Sequence, residues 1–290
     1  MITASGINKS FGSKVVFDGA DVSVADGSIC GLVGINGAGK STLLRIICGV
    51  LNTDGGEVTV DGKRAFDNPD VKRDMFFLAD NPFFDYGMTG EKLRAFYKTV
   101  YDFDDGIYDG YVQKFGLDLK KPIRNFSKGM KRQIFVAAAF ACKPKYLLLD
   151  EAFDGLDPLA RLEFKRGITD LQKAGCTVII ASHSLRELED ICDSFILIDA
   201  SEVKVCGKIE DAFDDIIKLQ VVFDHEVNES ELPFPCMRFT RVGRVINVVA
   251  RGDKQELYDK LNAMNPLLID EVGMDFEDYF IEEVRKGARS

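Results

Sequence analysis

Gly34-Ile-Asn-Gly-Ala-Gly-Lys-Ser41 is the stretch of sequence that decides the fold. It matches the pattern G-x-x-x-x-G-K-[ST] in full, and it stands between the apolar run 28–33 and the helical pattern of 42–48. Glycines let such a loop turn successive backbone N–H groups towards phosphate, and the N-terminus of the following helix adds positive potential. A strand, a loop and a helix in this order predict a phosphate-binding loop in an α/β fold.

The residue types of this loop indicate its ligand. Lys40 is predicted to reach the β- and γ-phosphates of a nucleoside triphosphate, and the Ser41 hydroxyl is predicted to ligate Mg²⁺. ATP with Mg²⁺ is therefore the predicted ligand. The predicted nucleotide-binding residues of this segment are Gly34, Ile35, Asn36, Gly37, Ala38, Gly39, Lys40, Ser41 and Thr42.

A second motif supplies two carboxylates. Tyr146-Leu-Leu-Leu149 is a short apolar run, typical of a strand buried on both faces of a sheet, and Asp150 and Glu151 follow it directly. Asp150 is predicted to hold Mg²⁺, and Glu151 to polarise the water that attacks the γ-phosphate. In combination with the loop, this pair of carboxylates predicts ATP hydrolysis.

Composition and charge narrow the possible functions. The chain has 290 residues, of which 46% are hydrophobic, enough for one large or two modest domains. A net charge of −10 disfavours binding to nucleic-acid phosphates. The longest apolar run, Ile134 to Cys142, is far shorter than the roughly 20 residues that cross a bilayer. Seven scattered cysteines without a CxxC pair, and no N-terminal leader pattern, predict a cytoplasmic protein with reduced thiols.

The first half of the chain shows two kinds of apolar pattern. Residues 1–30 alternate apolar side chains with turn signals at Gly12-Ser13, Asp18-Gly19 and Asp26-Gly27, which predicts antiparallel strands joined by tight turns. From Glu91 to Ala141 the apolar residues recur with helical spacing. An antiparallel β subdomain followed by a helical subdomain is therefore predicted.

The second half predicts a βαβ unit and then a separate appendage. The buried runs 146–149 and 178–181 flank the helical pattern 159–174, as expected for parallel strands. We predict an ATPase domain over residues 1–207, with its helical part at about 85–140, and a small C-terminal α+β domain over 208–290. In the C-terminal domain strands are predicted at 220–223, 237–242 and 244–250, a loop at 224–235, and helices at 253–264 and 276–285.

Phe126-Ser127-Lys128-Gly129-Met130 resembles the signature sequence of the ABC ATPases, which is usually Leu-Ser-Gly-Gly-Gln. Other motifs follow in the order of that family. Asp154-Gly-Leu-Asp157 resembles its D-loop, and His183 after the next strand resembles its switch histidine. Phe11 is similar in position to an aromatic residue that stacks on adenine. The resemblance covers about residues 1–210.

The resemblance implies the ATP-hydrolysing subunit of an ABC transporter, and the ending 276–280 is similar to that of many bacterial exporter subunits. It implies that two ATPase subunits, identical or paralogous, pair head to tail, so that Ser127 and Gly129 contact the ATP held by the partner's loop. His183 is implied to act with Glu151 and Lys40 in hydrolysis. A separate membrane permease is implied as the second kind of partner, which would hold the subunit at the inner face of the membrane.

The family's Q-loop glutamine, a ligand of Mg²⁺, should fall within Phe77–Pro82, and Asp80 occupies that place. A carboxylate suits a hard cation, so Asp80 is predicted to be a third metal ligand with Ser41 and Asp150. The competing interpretation is that Asp80 only begins the turn before Pro82, which aspartate favours.

Two alternative functions can be weighed against transport. An ABC-type ATPase that acts on nucleic acid or ribosomes would carry a coiled-coil arm, a zinc insertion or a second ATPase domain. Residues 43 to 126, 84 in all, are too few for such an arm, and the cysteines lack zinc spacing. A regulator that only binds nucleotide would lack Glu151, which is present. The transported substrate cannot be inferred from these residues.

Overall fold

The structure, a computed structural model, describes residues 1–208, 215–274 and 276–287. The chain divides into two compact units, Met1–Cys206 and Gly207–Ser290. The elements up to residue 208 are β1 (Ile2–Phe11), β2 (Lys14–Val24), β3 (Ile29–Gly34), α1 (Lys40–Ile47), β4 (Gly55–Val60), β5 (Lys63–Arg64), α2 (Pro69–Arg73), β6 (Met75–Leu78), α3 (Gly90–Tyr97), α4 (Asp105–Lys114), a 3₁₀ turn (Ile123–Asn125), α5 (Lys128–Ala141), β7 (Tyr146–Asp150), α6 (Pro158–Lys173), β8 (Thr177–Ala181), α7 (Leu185–Glu189), β9 (Ser194–Asp199) and β10 (Glu202–Lys208).

A six-stranded sheet forms the centre of the first unit, in the order β10-β9-β3-β8-β7-β6. The pairs β9-β3, β3-β8, β8-β7 and β7-β6 are parallel. Every residue of β3, β7 and β8 is buried, as continuous apolar runs predict for strands covered on both faces. Because parallel strands all end at the same edge, this sheet carries the phosphate loop after β3 and the two carboxylates at the end of β7 to one side of the unit.

A second, antiparallel sheet lies in the same unit, in the order β2-β1-β4-β5. The predicted turn at Gly12-Ser13 joins its first two strands, but the predicted turn at Asp18-Gly19 is wrong, because β2 continues through it. The β1–β2 pairing is instead irregular between Ala4 and Ile7 and again near Lys9, so extra residues are absorbed as bulges. The combination of a parallel core sheet, this antiparallel sheet and helices α3–α5 confirms the predicted fold class.

Helix α5 is more buried than α3 and α4, and every residue from Arg132 to Ala141 is buried. Ser127 begins it as the N-cap, its hydroxyl accepting from the Met130 amide at 3.1 Å. The residues after the predicted signature motif are therefore buried along the helix, whereas the motif itself lies at the first turn.

The second unit has its own core. Its elements are β11 (Ile216–Val222), a 3₁₀ turn (Glu229–Glu231), β12 (Arg238–Val242), β13 (Val245–Arg251), α8 (Lys254–Asn262), β14 (Leu268–Glu271) and α9 (Phe276–Gly287). The sheet order is β12-β13-β11-β14, all antiparallel. Alternating residues of β11 and β13 pack with Leu257 and Leu261 of α8. Strand β14 was not predicted, since its residues are largely exposed and show no apolar alternation.

Candidate active site

The phosphate loop begins where β3 ends and passes directly into α1. Gly39 has a φ of 115° and stands at the N-cap position of α1. A Cβ atom there would lie 2.8 Å from Cγ1 of Val16 and 2.9 Å from Cζ of Phe17, so β2 packs against the bare glycine backbone. Only glycine satisfies both the conformation and this close approach. The structure thus accounts for a glycine immediately before Lys40.

Lys40 is buried, with a side chain only 7% exposed. Its ammonium donates to the carbonyl oxygen of Gly34 at 2.8 Å and lies 4.0 Å from Oε1 of Glu151. Burial lowers the pKa of Lys40, and the charges of Glu151 and Asp150 oppose that change. An ammonium has three N–H donors, so the contact with Gly34 leaves others for phosphate oxygens.

The hydroxyl of Ser41 donates to Oδ1 of Asp150 at 3.0 Å. Asp150 ends β7 and is 2% exposed. Burial raises the pKa of Asp150, the Ser41 hydrogen bond lowers it, and the neighbouring charges of Glu151 and Asp80 raise it further. The structure therefore brings two predicted metal ligands, from α1 and β7, into contact with each other.

Glu151 and His183 form a second pair at the same edge of the sheet. Nδ1 of His183 lies 2.8 Å from Oε2 of Glu151, and the His183 amide donates to that oxygen at 3.3 Å. Glu151 has a φ of 48°, and its amide donates to the carbonyl of Ala181 at 2.9 Å. This unusual backbone conformation turns the side chain towards the loop, which is how Glu151 comes to face both Lys40 and His183.

A cavity of about 320 Å³ lies beside the loop. Phe11 is 51% exposed at its rim, with Nζ of Lys9 5.4 Å from the ring centroid. Lys14 and Val16 also line this cavity and were not predicted, although their place just after the Gly12-Ser13 turn and close to Phe11 was a usable signal. The cavity is lined by Phe11, Lys14, Val16, Asn36, Gly37, Gly39, Lys40, Ser41, Thr42 and Glu151.

Three of the predicted nucleotide-binding residues of the loop are not among those that line the cavity. Ala38 packs against the hydrophobic core that includes β1 and β2, and the Ile35 side chain is 52% exposed. Gly34 contributes its carbonyl to Lys40. Their part in nucleotide binding stays a prediction that concerns backbone atoms.

Ser127 and Gly129 are not among the residues that line this cavity. They lie instead beside the D-loop, where Lys128 forms an ion pair with Asp154 of the same chain. A Cβ atom on Gly129 would lie 2.3 Å from the carbonyl oxygen of Gly155. The predicted signature is thus held to the loop that follows Glu151, by one ion pair and one close contact between glycine backbones.

Gly129→Ala is expected to lower the free energy of unfolding by about 1–3 kcal/mol, because the added methyl group must displace backbone atoms of Gly155. Urea denaturation of both proteins measures the difference. Gly110→Ala in α4 is the matched control: a Cβ there meets no atom within 4 Å, so a helical alanine should stabilise by about 0.5–1 kcal/mol. Equal stability of Gly129→Ala and the wild-type protein would contradict the close contact.

Asp80 lies between the sheet and α5. Its Oδ1 accepts from Nη2 of Arg132 at 3.1 Å, and its Oδ2 accepts from the Asn81 side chain at 2.9 Å. Neither contact involves Ser41 or Asp150, although the charge of Asp80 contributes to the raised pKa of Asp150. Its assignment as a metal ligand stays a prediction, and Arg132 is a partner that sequence reasoning missed.

The chain is similar to known proteins in both sequence and structure. The sequence profile of the family described as ABC transporter matches residues 17–154. An uncharacterized ABC transporter ATP-binding protein of Bacillus subtilis is 35% identical over 69% of this chain and 66% of that protein. The linearmycin resistance ATP-binding protein of Bacillus subtilis is 31% identical over 76% of this chain and 75% of that protein.

A solved structure, described as that of an ATP binding subunit of an ABC transporter, superposes with a TM-score of 0.68. It is 26% identical to this chain and the match covers 73% of this chain and 92% of that structure. Within residues 1–208, 215–274 and 276–287, no helix has both the length and the apolar character needed to cross a membrane.

Proposed function

Because this chain belongs to the ATP-binding subunits of ABC transporters, which are ATPases that energise transport, we propose that Lys40, Ser41, Asp150, Glu151 and His183 form its catalytic site. The observation that supports this most is the hydrogen bond between Ser41 and Asp150, with Glu151 and its partner His183 beside it. Residues far apart in the sequence converge there at the carboxyl edge of one parallel sheet, the usual place for a ligand in such folds.

The phosphate chain of ATP would lie along the backbone amides of the loop, with Lys40 as its cationic partner. The buried position of Lys40 strengthens this contact, since an ion pair shielded from water is screened less. Phe11 would stack on the adenine ring, because it is a half-exposed aromatic side chain at the rim of the cavity. Lys14, at the same rim, would contact the nucleotide as a second cation.

The oxygen donors fit Mg²⁺. Ser41 and Asp150 offer a hydroxyl and a carboxylate already within hydrogen-bond distance, and a bound cation would offset the burial of the Asp150 charge. Among the described residues no cluster of three or more His, Cys, Asp or Glu could hold a metal. Mg²⁺ binds through one or two protein ligands and takes the rest from phosphate and water. When bound, Mg²⁺ would neutralise charge on the phosphates.

Glu151 would accept a hydrogen bond from the attacking water and orient it towards the γ-phosphate. His183 would position Glu151, since its ring nitrogen and its amide both contact the same carboxylate oxygen. Lys40, 4.0 Å from the other oxygen, would hold the carboxylate towards the phosphate loop.

Ser127 and Gly129 would complete the ATP site of a second ATPase subunit. They stand at the N-terminus of α5, where amide N–H groups favour an anion, and they lie outside the cavity of their own loop. ABC ATPase subunits work with membrane permease components, so the assembly would be two such subunits on a permease, at the inner face of the membrane. The net charge of −10 favours this over a role on nucleic acid. The similarity to a linearmycin resistance ATP-binding protein supports export as the direction of transport.

Ser127→Arg tests the composite site. The variant is expected to bind a fluorescent ATP analogue as a monomer with wild-type affinity, and to hydrolyse ATP roughly 10²-fold more slowly, since a donor for the transferring phosphate is lost. Binding is measured by fluorescence titration and turnover by phosphate release.

Thr89→Arg is the matched control, because Thr89 caps α3 in the same way that Ser127 caps α5. It should lose stability of about 1 kcal/mol but retain turnover. Weaker ATP binding by the Ser127→Arg monomer would mean that Ser127 serves its own subunit's site, which contradicts the proposal.

A further inference from the structure

Arg132 stands one turn into α5, two residues after the signature motif, and it is 3% exposed. Its guanidinium donates to the carbonyl oxygens of Ala79 and Asp80, each at 3.0 Å, and to Oδ1 of Asp80 at 3.1 Å. A guanidinium stays charged, and one that is buried needs a paired carboxylate. The start of α5 and the segment after β6 are therefore joined through Asp80.

Asp80 also follows the strand next to the one that ends in Asp150. Strands β6 and β7 are neighbours in parallel, with Leu78 opposite Leu149, so Asp80 and Asp150 leave the sheet at the same edge. The side chain of Asp80 is 36% exposed, and it contributes to the electrostatic environment of Asp150. One carboxylate thus pairs with a fixed guanidinium on α5 and leaves the sheet at the same edge as the cation site proposed at Ser41 and Asp150.

We propose that Asp80 alternates between two cations, Arg132 without nucleotide and Mg²⁺ when ATP is bound, which makes Arg132 a positioning residue that competes with the metal. The proposal rests on the Mg²⁺ site of the proposed function. Metal binding would draw the carboxylate away from Arg132 and loosen the segment 79–81 from α5. Because α5 begins with the signature motif, the metal state of one ATP site would then influence the orientation of the signature.

The two possible roles of Arg132 predict different changes in the Mg²⁺ requirement when the guanidinium is removed. If Arg132 holds Asp80 away from the metal, removing the guanidinium makes the carboxylate available, and less Mg²⁺ is needed. If Arg132 only anchors the loop, removing it disorders Asp80, and more Mg²⁺ is needed or the requirement is unchanged. Loss of a positive charge alone could also favour Mg²⁺, but that effect would not depend on Asp80.

The test measures the Mg²⁺ dependence of binding of a fluorescent ATP analogue, a readout that does not require turnover. Arg132→Gln is expected to lower the half-saturating Mg²⁺ concentration by about fivefold or more, the lower end of coupling between linked sites. Asp80→Asn is expected to raise it by a similar factor. In the Asp80→Asn background, Arg132→Gln should change nothing further, because the two residues act through one contact.

Two results would overturn the inference: an Arg132→Gln titration that overlays the wild-type curve or moves to higher Mg²⁺, and a shift that persists in the Asp80→Asn background. Lys131→Gln, which removes a cation from the same turn of α5, should leave the titration unchanged. If Arg132→Gln shows no cooperative thermal unfolding, the Asp80→Asn curve decides alone, and its overlay on the wild-type curve refutes the proposal. Asp150→Asn tests the metal site separately: if it leaves the titration unchanged, the proposed function fails instead.

Discussion

Glu151→Gln is expected to bind ATP with wild-type affinity and to hydrolyse it about 10²–10⁴-fold more slowly, because the amide keeps the shape of the side chain but cannot accept a proton. Without turnover, ATP should remain trapped between two subunits. The variant should therefore elute as a dimer on size-exclusion chromatography with ATP and as a monomer without it. Turnover is measured by phosphate release and the assembly state by light scattering.

Glu187→Gln is the matched control for that experiment. Glu187 has a side chain 15% exposed, against 21% for Glu151, and it is ion-paired with Arg161 and Lys165. It lies on α7, a few residues beyond His183. Removing the Glu187 charge should lower the free energy of unfolding and leave the chemical step intact. Wild-type turnover by Glu151→Gln would refute the assignment of Glu151 as the residue that orients water.

Lys40→Ala is expected to weaken ATP binding by roughly 10²-fold or more, since truncating one partner of a buried charged contact costs about 2–5 kcal/mol. The loss should appear in the affinity of the monomer, before any dimer forms. Fluorescence titration and calorimetry both measure it.

The control is Lys92→Ala. The ammonium of Lys92 also donates to a glycine carbonyl, that of Gly87 at 2.9 Å, as Lys40 does to Gly34. Lys92 lies in α3 and is not among the residues that line the cavity of the loop. Removing it should leave ATP affinity unchanged. Unchanged affinity of Lys40→Ala would refute the proposed phosphate site.

The strand, loop and helix around Lys40 could be predicted because their determinants are local in the sequence. Glycine spacing, a buried apolar run and a following helical pattern all lie within residues 28–48. The pairing of Ser41 with Asp150 followed from topology, since the residues at the carboxyl ends of parallel strands lie at one edge of the sheet. Local signals combined with the parallel topology are thus sufficient for the core of the site.

The contacts of α5 could not be predicted in the same way. Lys128 pairs with Asp154 and Arg132 with Asp80, which are 26 and 52 residues away in the sequence. Nothing in either residue's own segment indicates its partner, because ion pairs depend on how helices and loops pack.

The conformation of Glu151 has a consequence for the evolution and engineering of this chain. A φ of 48° disfavours most side chains, and such a residue costs of order 1–3 kcal/mol relative to an unstrained one. Glycine at this position would relieve the strain, yet it would have no carboxylate. Given the role proposed for Glu151, selection for thermal stability and selection for turnover oppose each other at residue 151, and a screen for stabilised variants would tend to enrich inactive ones.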